Sequence, residues 1–168
     1  MTTAPFSARD VRLRALSRGD AAWLVARHAA LYASDEGFDA SFGADVARVL
    51  DRLLEAPGPA DRGWIPLAPD GRRLGSVLCV RRDAETAQLR LFLLEPEARG
   101  IGLGRWMLET CLDHAREAGF ARMRIGTFES HRAAGRLYAR TGFDCVAARA
   151  VRRYGCDLVE QTWTKALL

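Results

Sequence analysis

Three glycines that alternate with other residues are the strongest chemical signal in the sequence. They lie in the segment Leu91–Arg105, which reads LFLLEPEARGIGLGR. Gly100, Gly102 and Gly104 follow an apolar run and lead directly into a predicted amphipathic helix. The first turn of a helix has backbone N–H groups without partners and a partial positive charge, so it attracts phosphate oxygens, and glycines let those oxygens approach. The segment therefore predicts a phosphate-binding site.

The spacing of these glycines argues against two common kinds of nucleotide site. A dinucleotide-type GxGxxG loop needs glycine at the position that Arg105 occupies. A P-loop needs the sequence GK followed by serine or threonine, and no such sequence follows the glycines. A Rossmann hydride-transfer enzyme and a P-loop nucleotide hydrolase therefore both fit the pattern poorly.

Hydrophobic periodicity and turn residues predict the elements that position this loop. The first predicted helix begins at Asp20, and the others span 41–55, 103–118 and 131–140. The predicted strands span 11–16, 64–67, 74–81, 87–94, 122–128, 143–151 and 158–167. Short polar turns join the strands between 64 and 94, which predicts an antiparallel meander. A helical crossover follows it, so we expect an α/β fold.

Size and composition indicate one globular domain over residues 1–168. Of the 168 residues, 49% are hydrophobic and 27% are charged, and this length leaves no room for a second domain. The first ten residues lack the apolar core of a secretion signal, and no later stretch reaches the apolar length of a membrane span. We therefore expect a soluble cytoplasmic protein without a membrane partner.

Charge and cysteine usage limit the partners. The net charge is +4, and every basic residue except Lys165 is an arginine. The arginine excess reflects either genome composition or the binding of an anionic cofactor. Acidic residues are interspersed with the arginines, which argues against a nucleic-acid interface. The four cysteines are scattered without a CxxC pair, so we expect reduced thiols and no metal site.

The glycine loop resembles the pyrophosphate loop of the GNAT superfamily of acyl-CoA N-acyltransferases. That loop is written Q/R-x-x-G-x-G/A and is matched by the sequence RGIGLG at 99–104. An apolar strand with Glu95 and Pro96 precedes the loop, and a helix that ends in AGF at 118–120 follows it. The sequence LYARTGF at 137–143 fits the LYxxxGF element of the family. The resemblance identifies the chain as a member of this superfamily.

The resemblance implies a particular fold. In the GNAT fold a central mixed, mostly antiparallel sheet of about seven strands is flanked by about four helices. The strand ending near Leu94 is expected to splay from its neighbour, and the pantetheine arm of the cofactor is expected to lie in the V-shaped gap. Members often pair through late strands or helices, so the resemblance also suggests a homodimer.

A second likeness is more specific. The chain resembles the acetyltransferase half of bacterial proteins that carry a MarR-type winged-helix regulator ahead of a GNAT domain, and the likeness covers residues 20–167. The matching pieces are RH at 27–28, LY at 31–32, GFD at 37–39, QLRL at 88–91, YG at 154–155, DLV at 157–159 and QTW at 161–163. The sequence given has no DNA-binding half, so the regulatory role of those fusions is not transferred.

The family implies the chemistry and the cofactor. A GNAT enzyme moves an acetyl group from acetyl-CoA to an amine by direct attack in a ternary complex, and no metal takes part. The reaction needs a neutral amine, a polarised thioester carbonyl and a proton for the departing thiolate. By resemblance, the backbone N–H groups of Phe92, Leu93 and Leu94 bind the pantetheine and the thioester oxygen. By the same resemblance, the cofactor diphosphate is held by Arg99, Gly100, Ile101, Gly102, Leu103, Gly104 and Arg105.

The roles of two further residues come from the resemblance and leave alternatives open. Tyr138 aligns with the tyrosine that protonates the thiolate in many members, and its alternative is an aromatic residue in the core. His131 occupies a position where many members have an asparagine whose amide contacts the cofactor. Its imidazole either replaces that contact or faces solvent.

The general base has several candidates. Glu95 directly follows the strand that should hold the thioester, which favours it as the base; the alternative is an ordinary carboxylate at a strand end. Glu129, His28, Asp35 and a water relay stay open as well.

The family resemblance implies that the first helix lies over the acceptor side, so this helix supplies the candidates for amine binding. His28 and Tyr32 share its apolar face, and Asp35 and Glu36 follow, so together they could select a cationic amine. The alternatives are a core histidine and a solvated helix end. The acceptor itself, a small molecule or a peptide amine, is not specified by the sequence. A non-catalytic acyl-CoA sensor and an arginine-rich nucleic-acid-associated domain stay open as other functions.

Overall fold

Seven strands form one sheet in the computed structural model, which describes residues 6–168. The strands are β1 (Arg12–Ala15), β2 (Arg62–Leu67), β3 (Gly75–Arg81), β4 (Thr86–Leu94), β5 (Arg122–Phe128), β6 (Asp144–Arg153) and β7 (Cys156–Ala166). Their order across the sheet is β1-β2-β3-β4-β5-β7-β6. The pair β4–β5 is parallel, and the other neighbours are antiparallel. The prediction of a mixed, mostly antiparallel sheet is confirmed.

Four α-helices accompany the sheet in the described part of the chain. They are α1 (Ala21–Glu36), α2 (Ser41–Glu55), α3 (Leu103–Glu117) and α4 (Arg132–Arg140). The predicted ends of helices and strands lie within two residues of the observed ones. Within residues 6–168, the structure has no helix with the length and apolar character that crossing a membrane requires.

The sheet has an apolar core on each face. Successive residues of a strand point to opposite faces. In β3, Val77 and Cys79 therefore pack with residues of α3, whereas Leu78 packs with residues of α1 and α2. Burying one large apolar side chain stabilises the fold by about 1.5–3 kcal/mol. This burial fixes α3 on one face of the sheet and α1 and α2 on the other.

A buried carboxylate fixes the start of α1. Asp20 directly precedes α1, and its side chain is fully buried. Arg14 donates hydrogen bonds to both carboxylate oxygens at 2.8 Å, and Arg73 donates from Nε at 2.8 Å. Burial by itself would raise the pKa of Asp20, but the hydrogen bonds from Arg14, Ser17 and Arg73 outweigh it and hold that pKa well below its usual range. The network ties β1 and the β2–β3 turn to α1.

Replacement of Asp20 by asparagine should destabilise the fold by about 2–4 kcal/mol at pH 7, because it breaks a buried charge pair. The folded-state pKa of Asp20 is depressed, so its contribution is complete above the unfolded-state pKa of about 3.9 and is lost as the pH falls toward the folded-state value. Urea unfolding of the wild type and D20N should therefore give stabilities that differ at pH 7 and converge on acidification.

The control for this comparison is D70N. Asp70 also pairs with an arginine, Arg72, but its side chain is half exposed. Solvent screens an exposed pair, so D70N should lose little stability. Equal losses in D20N and D70N would contradict the role assigned to the buried network.

Candidate active site

Strands β4 and β5 diverge after a short paired segment. Their parallel pairing ends at Leu89 and Ile125. Both strands continue, β4 to Leu94 and β5 to Phe128, but they no longer pair with each other. The predicted splay at the strand ending near Leu94 is confirmed. The facing backbone edges beyond this point are available to a ligand that enters the gap.

A bulge bends β4 at the start of this gap. The register of β4 against β3 shifts between Ser76 and Leu78, and Leu91 adopts a left-handed conformation with φ of 46°. A bulge bends its strand and increases the twist. The Ser76 hydroxyl donates a 2.6 Å hydrogen bond to the Leu91 carbonyl. A Cβ on Gly75 would lie 1.9 Å from the Leu93 carbonyl oxygen, so glycine alone lets β3 approach the bent segment this closely.

The glycine loop leads into α3 as the sequence predicts. Gly100 and Gly102 have φ values of 78° and 84°, in the left-handed region that favours glycine. In residues 6–168, no side chain caps the N-terminus of α3, which starts at Leu103. Its first-turn N–H groups, from Leu103 to Arg105, are therefore available to an anion. Ile101 packs against the core beside α3 and anchors the loop.

Tyr138 lies in the core, on α4. Its side chain is almost completely buried and packs against Phe143 and Trp163, with ring centroids 6.0 and 6.1 Å away. Burial raises the pKa of its phenol, and the nearby Tyr32 and Cys111 raise it further. The hydroxyl is therefore protonated at neutral pH and can donate. The core packing that was one alternative is observed; the role of acid stays a prediction.

Glu95 is held in an ion pair that the sequence did not reveal. Arg27, on α1, donates from Nε to Oε1 at 2.5 Å and from Nη2 to Oε2 at 2.8 Å. The Glu95 side chain is 12% exposed. A carboxylate held through both oxygens by a permanent cation is strongly bound in one orientation. The pair therefore ties α1 to the end of β4, and Glu95 as a general base stays a prediction.

The C-terminal turn of α1 contacts both the glycine loop and the start of α4. Asp35 pairs with Arg99 at 3.4 Å, and both side chains are about half exposed. Glu36 pairs with His131, with Oε1 and Nε2 3.1 Å apart, and both side chains are mostly buried. Asp35 and Glu36, which were predicted to bind the acceptor, thus contact Arg99 and His131, which were predicted to bind the cofactor.

His28 occupies a core position, which was one of its three predicted roles. It is 1% exposed, and its Nδ1 bonds to the Leu24 carbonyl at 2.8 Å. Its Nε2 is buried without a hydrogen-bond partner in the described residues. Burial lowers the pKa of His28 to about 4, although the bond to Leu24 opposes the shift, so the ring is neutral at physiological pH. A role in acceptor binding stays a prediction.

A cluster of aromatic rings beside α1 was not predicted. Neighbouring rings have centroids 4.4–5.6 Å apart. We call it the aromatic cluster, and its members are Tyr32, Phe38, Phe42, Phe128, His131 and Tyr154. They come from α1, α2, the end of β5 and three turns, so periodicity within one element does not reveal them. Several of these rings are partly exposed, and such faces attract cations.

The β6–β7 turn closes one side of the aromatic cluster. Tyr154 has φ of 54°, and its hydroxyl donates to Asp45 Oδ2 at 2.8 Å. Its carbonyl accepts the backbone N–H of Asp39 at 2.9 Å. These bonds join a late hairpin to α2 and to the α1–α2 connection. The motif pieces at 37–39 and 154–155, which are far apart in sequence, are therefore neighbours in the fold.

The geometry defines a candidate site with two sides. One side has the gap between β4 and β5 and the open N-terminus of α3, both suited to a long ligand that carries phosphates. The other side has carboxylates and aromatic rings, which are suited to a cation. In residues 6–168 no group of three or more histidine, cysteine, aspartate or glutamate side chains is arranged to hold a metal ion.

Comparison with known sequences finds a family and a few relatives. Residues 27–143 match the acetyltransferase (GNAT) family. Uncharacterized N-acetyltransferases of Mycobacterium bovis and Mycobacterium tuberculosis are 30% identical over 83 residues, which are 49% of this chain and 53% of each relative. The match thus spans about half the length of these curated relatives.

Comparison with solved structures finds the same fold over nearly the whole chain. A GCN5-related N-acetyltransferase from Kribbella flavida has a TM-score of 0.76 at 20% identity, covering 95% of this chain and 99% of its own. A spermidine N-acetyltransferase from Vibrio cholerae, solved with CoA and spermine, has a TM-score of 0.72 at 17% identity, covering 95% and 96%. A Salmonella typhimurium protein solved with its cofactor acetyl-CoA has 0.73 at 20%, covering 95% of each chain.

Proposed function

Because the chain belongs to the acetyltransferase (GNAT) family, we propose that it transfers an acetyl group from acetyl-CoA to an amine by direct attack in a ternary complex. One observation carries the proposal. The gap between β4 and β5 opens where β4 leads into the glycine loop and the uncapped N-terminus of α3. A pantetheine arm fits such a gap, and a diphosphate fits such a helix end.

The chain's own groups would hold the cofactor mainly through its backbone. The backbone of Phe92, Leu93 and Leu94 forms the edge of β4 at the gap, and the amides of residues 100–105 follow it. Acetyl-CoA supplies the thioester carbonyl that is attacked. A well-placed N–H donor at the carbonyl oxygen would lower the activation free energy by about 2.7–4 kcal/mol.

Tyr138 is our proposal for the acid that protonates the departing thiolate. Its phenol is protonated at neutral pH, and it belongs to α4, whose start lies next to the end of β5. The ring packing described above fixes its orientation.

The acceptor in our proposal is a cationic amine. Asp35 and Glu36 bring two carboxylates to the end of α1, and the ring of Tyr32 lies beside them in the aromatic cluster. His28, one turn earlier, lies behind Tyr32 with centroids 6.2 Å apart. Because a structure of the same fold was solved with spermine, polyamines are the first acceptors to test.

Three finer predictions belong to the same proposal. The likeness to the acetyltransferase half of the MarR-type fusions rests on the short motifs at 27–39, 88–91 and 154–163. A homodimer rests on the family resemblance alone. A cytoplasmic location rests on the sequence pattern described above.

Binding of acetyl-CoA tests the cofactor side. The wild type should bind it in calorimetry, and G102V should weaken binding at least about tenfold, because a β-branched residue strains a left-handed position and crowds the anion site. G71V is the matched control, since Gly71 also has a left-handed φ of 87° but lies in the β2–β3 turn. Absence of binding to the folded wild type would sink the acyl-transfer function.

Thiol release tests turnover. Acetyl-CoA is mixed with a panel of amines, namely spermidine, putrescine, tyramine and a lysine peptide, and release of free thiol is followed. We expect release with at least one of them. Binding of acetyl-CoA without release across this panel would instead support a non-catalytic sensor.

Substitution of Tyr138 by phenylalanine tests the acid. Y138F keeps the buried ring and removes the hydroxyl, so kcat should fall about 10²-fold or more while the affinity for acetyl-CoA stays constant. The release assay gives kcat, and calorimetry gives the affinity. An unchanged kcat would show that Tyr138 only packs in the hydrophobic core and is not the acid.

A further inference from the structure

We propose that His131, oriented by Glu36, is the general base that takes a proton from the acceptor ammonium. This inference rests on the proposed function and deepens it, because it assigns the base that the sequence left open. Glu36 is a positioning residue in this proposal.

The contact with Glu36 defines which ring nitrogen of His131 is the base. His131 Nε2 lies 3.1 Å from Glu36 Oε1, and Nδ1 lies 3.5 Å from the Thr127 hydroxyl. Carboxylate oxygens accept hydrogen bonds, so Nε2 carries the proton of the neutral ring and Nδ1 has the lone pair. Thr127 can donate to Nδ1 weakly at this distance and can give way to an ammonium.

Aromatic contacts hold the imidazole in place. The ring of Tyr32 meets it edge-on with centroids 5.0 Å apart, and the ring of Phe128 meets it at 5.9 Å. The side chains of His131 and Glu36 are 16% and 14% exposed, so the pair is mostly buried but still accessible to solvent. A base with these contacts keeps one orientation and can still be reached by a substrate.

His131 stands at the wide end of the gap. Its backbone N–H bonds to the Phe128 carbonyl at 2.9 Å, directly after the last residues of β5. This part of β5 no longer pairs with β4. The edge of β4 that faces it across the gap is the one that we assign to the thioester. The carboxylates of Asp35 and Glu36 lie on the side where a cationic amine would arrive.

The electrostatic surroundings suit a base at neutral pH. Burial lowers the pKa of His131, and the carboxylates of Glu36 and Asp35 oppose that shift without reversing it. Asp35 is itself paired with Arg99, from the glycine loop. The ring is therefore neutral in the resting enzyme, and Glu36 stabilises the imidazolium that forms on proton transfer.

Glu95 is less suited to the same role. Its carboxylate already accepts two charge-assisted hydrogen bonds from Arg27, and a proton on it would break that pairing. Among the described residues, His131 has no cationic side chain paired with it in this way.

The proton and electron counts balance with these groups. His131 Nδ1 takes one proton from R–NH3⁺, which leaves a lone pair on nitrogen. That lone pair forms the C–N bond to the acetyl carbon. The C–S bond breaks, and the electrons of the C–S bond stay on sulfur as the thiolate. Tyr138 gives its phenol proton to the thiolate and regains a proton from the new amide nitrogen. The imidazolium then releases its proton to solvent.

Substitution of His131 by asparagine is the main test. H131N restores the residue that many family members have here, so it keeps an amide for the cofactor and removes the base. With the most reactive amine of the panel, kcat/KM should fall about 10²-fold or more, while acetyl-CoA affinity changes less than about threefold. The wild-type rate should fall at acid pH as His131 is protonated. In H131N the rate should instead rise steadily with pH, following the fraction of free amine.

Three companion variants separate the alternatives. E36Q should shift the acid limb of the wild-type profile to lower pH by about one unit, because it removes the charge that favours the imidazolium. E95Q should keep the acid limb at its wild-type position. H114N should leave the profile unchanged, because His114 bonds to the Ala60 carbonyl away from the site.

Histidine NMR gives a readout that is independent of turnover. The chain has three histidines, so each Cε1–H signal can be assigned by substitution. The His131 signal should titrate at lower pH in E36Q than in the wild type, and the His28 signal should not move.

The outcomes are distinct. Wild type that binds no acetyl-CoA, or releases no thiol with any amine, overturns the proposed function and this inference together. Wild type that turns over, with H131N retaining both its rate and its acid limb, overturns the inference alone. Loss of the limb in E95Q, or loss of acetyl-CoA binding in H131N, also overturns it, since the base would then be Glu95 or His131 would be a cofactor contact.

Discussion

The end of the pairing between β4 and β5 is the constraint on which both sides of the proposed site depend. Pairing stops at Leu89, and the bulge at Leu91 turns the following residues away from β5. From this point β4 leads to the glycine loop and α3, while β5 leads to α4. Neither residue that holds the bulge, Ser76 or Gly75, belongs to the proposed chemistry. The third strand thus sets the width of the opening through one hydrogen bond and one close backbone approach.

Helix α1 connects the two sides of that opening. Its start is fixed by the buried Asp20 network, and its length places three charged side chains against other elements. Arg27 reaches the end of β4, and the carboxylates at the last turn reach the glycine loop and the start of α4. Of these pairs, Asp35–Arg99 is about half exposed and contributes modestly to stability. Their combined effect is geometric, because they hold the proposed acceptor side at a defined distance from the proposed cofactor side.

The local parts of this arrangement were predictable, and the long-range parts were not. Glycine at 100 and 102 and the apolar periodicity of α3 are visible within a few residues, so the loop and its helix follow from the sequence. The Arg27–Glu95 pair joins residues 68 positions apart, and the Tyr154–Asp45 bond joins residues 109 apart. No periodicity links such positions, because the topology of the sheet brings them together. Family resemblance supplied the fold, but it placed His131 at the cofactor and Glu36 at the acceptor without showing that they touch.

That contact changes how the departure from the family pattern at position 131 is understood. An asparagine can donate and accept hydrogen bonds, but it cannot take up a proton at neutral pH, whereas a histidine can. A histidine alone at a mostly buried site would favour its neutral form and hold a transferred proton poorly. Glu36 corrects this, since its carboxylate favours the imidazolium and fixes the tautomer. A carboxylate at this place can stabilise the protonated form of a histidine, whereas an asparagine has no protonated form to stabilise at neutral pH. Proton uptake at this site therefore depends on both residues, because His131 accepts the proton and Glu36 stabilises the resulting charge.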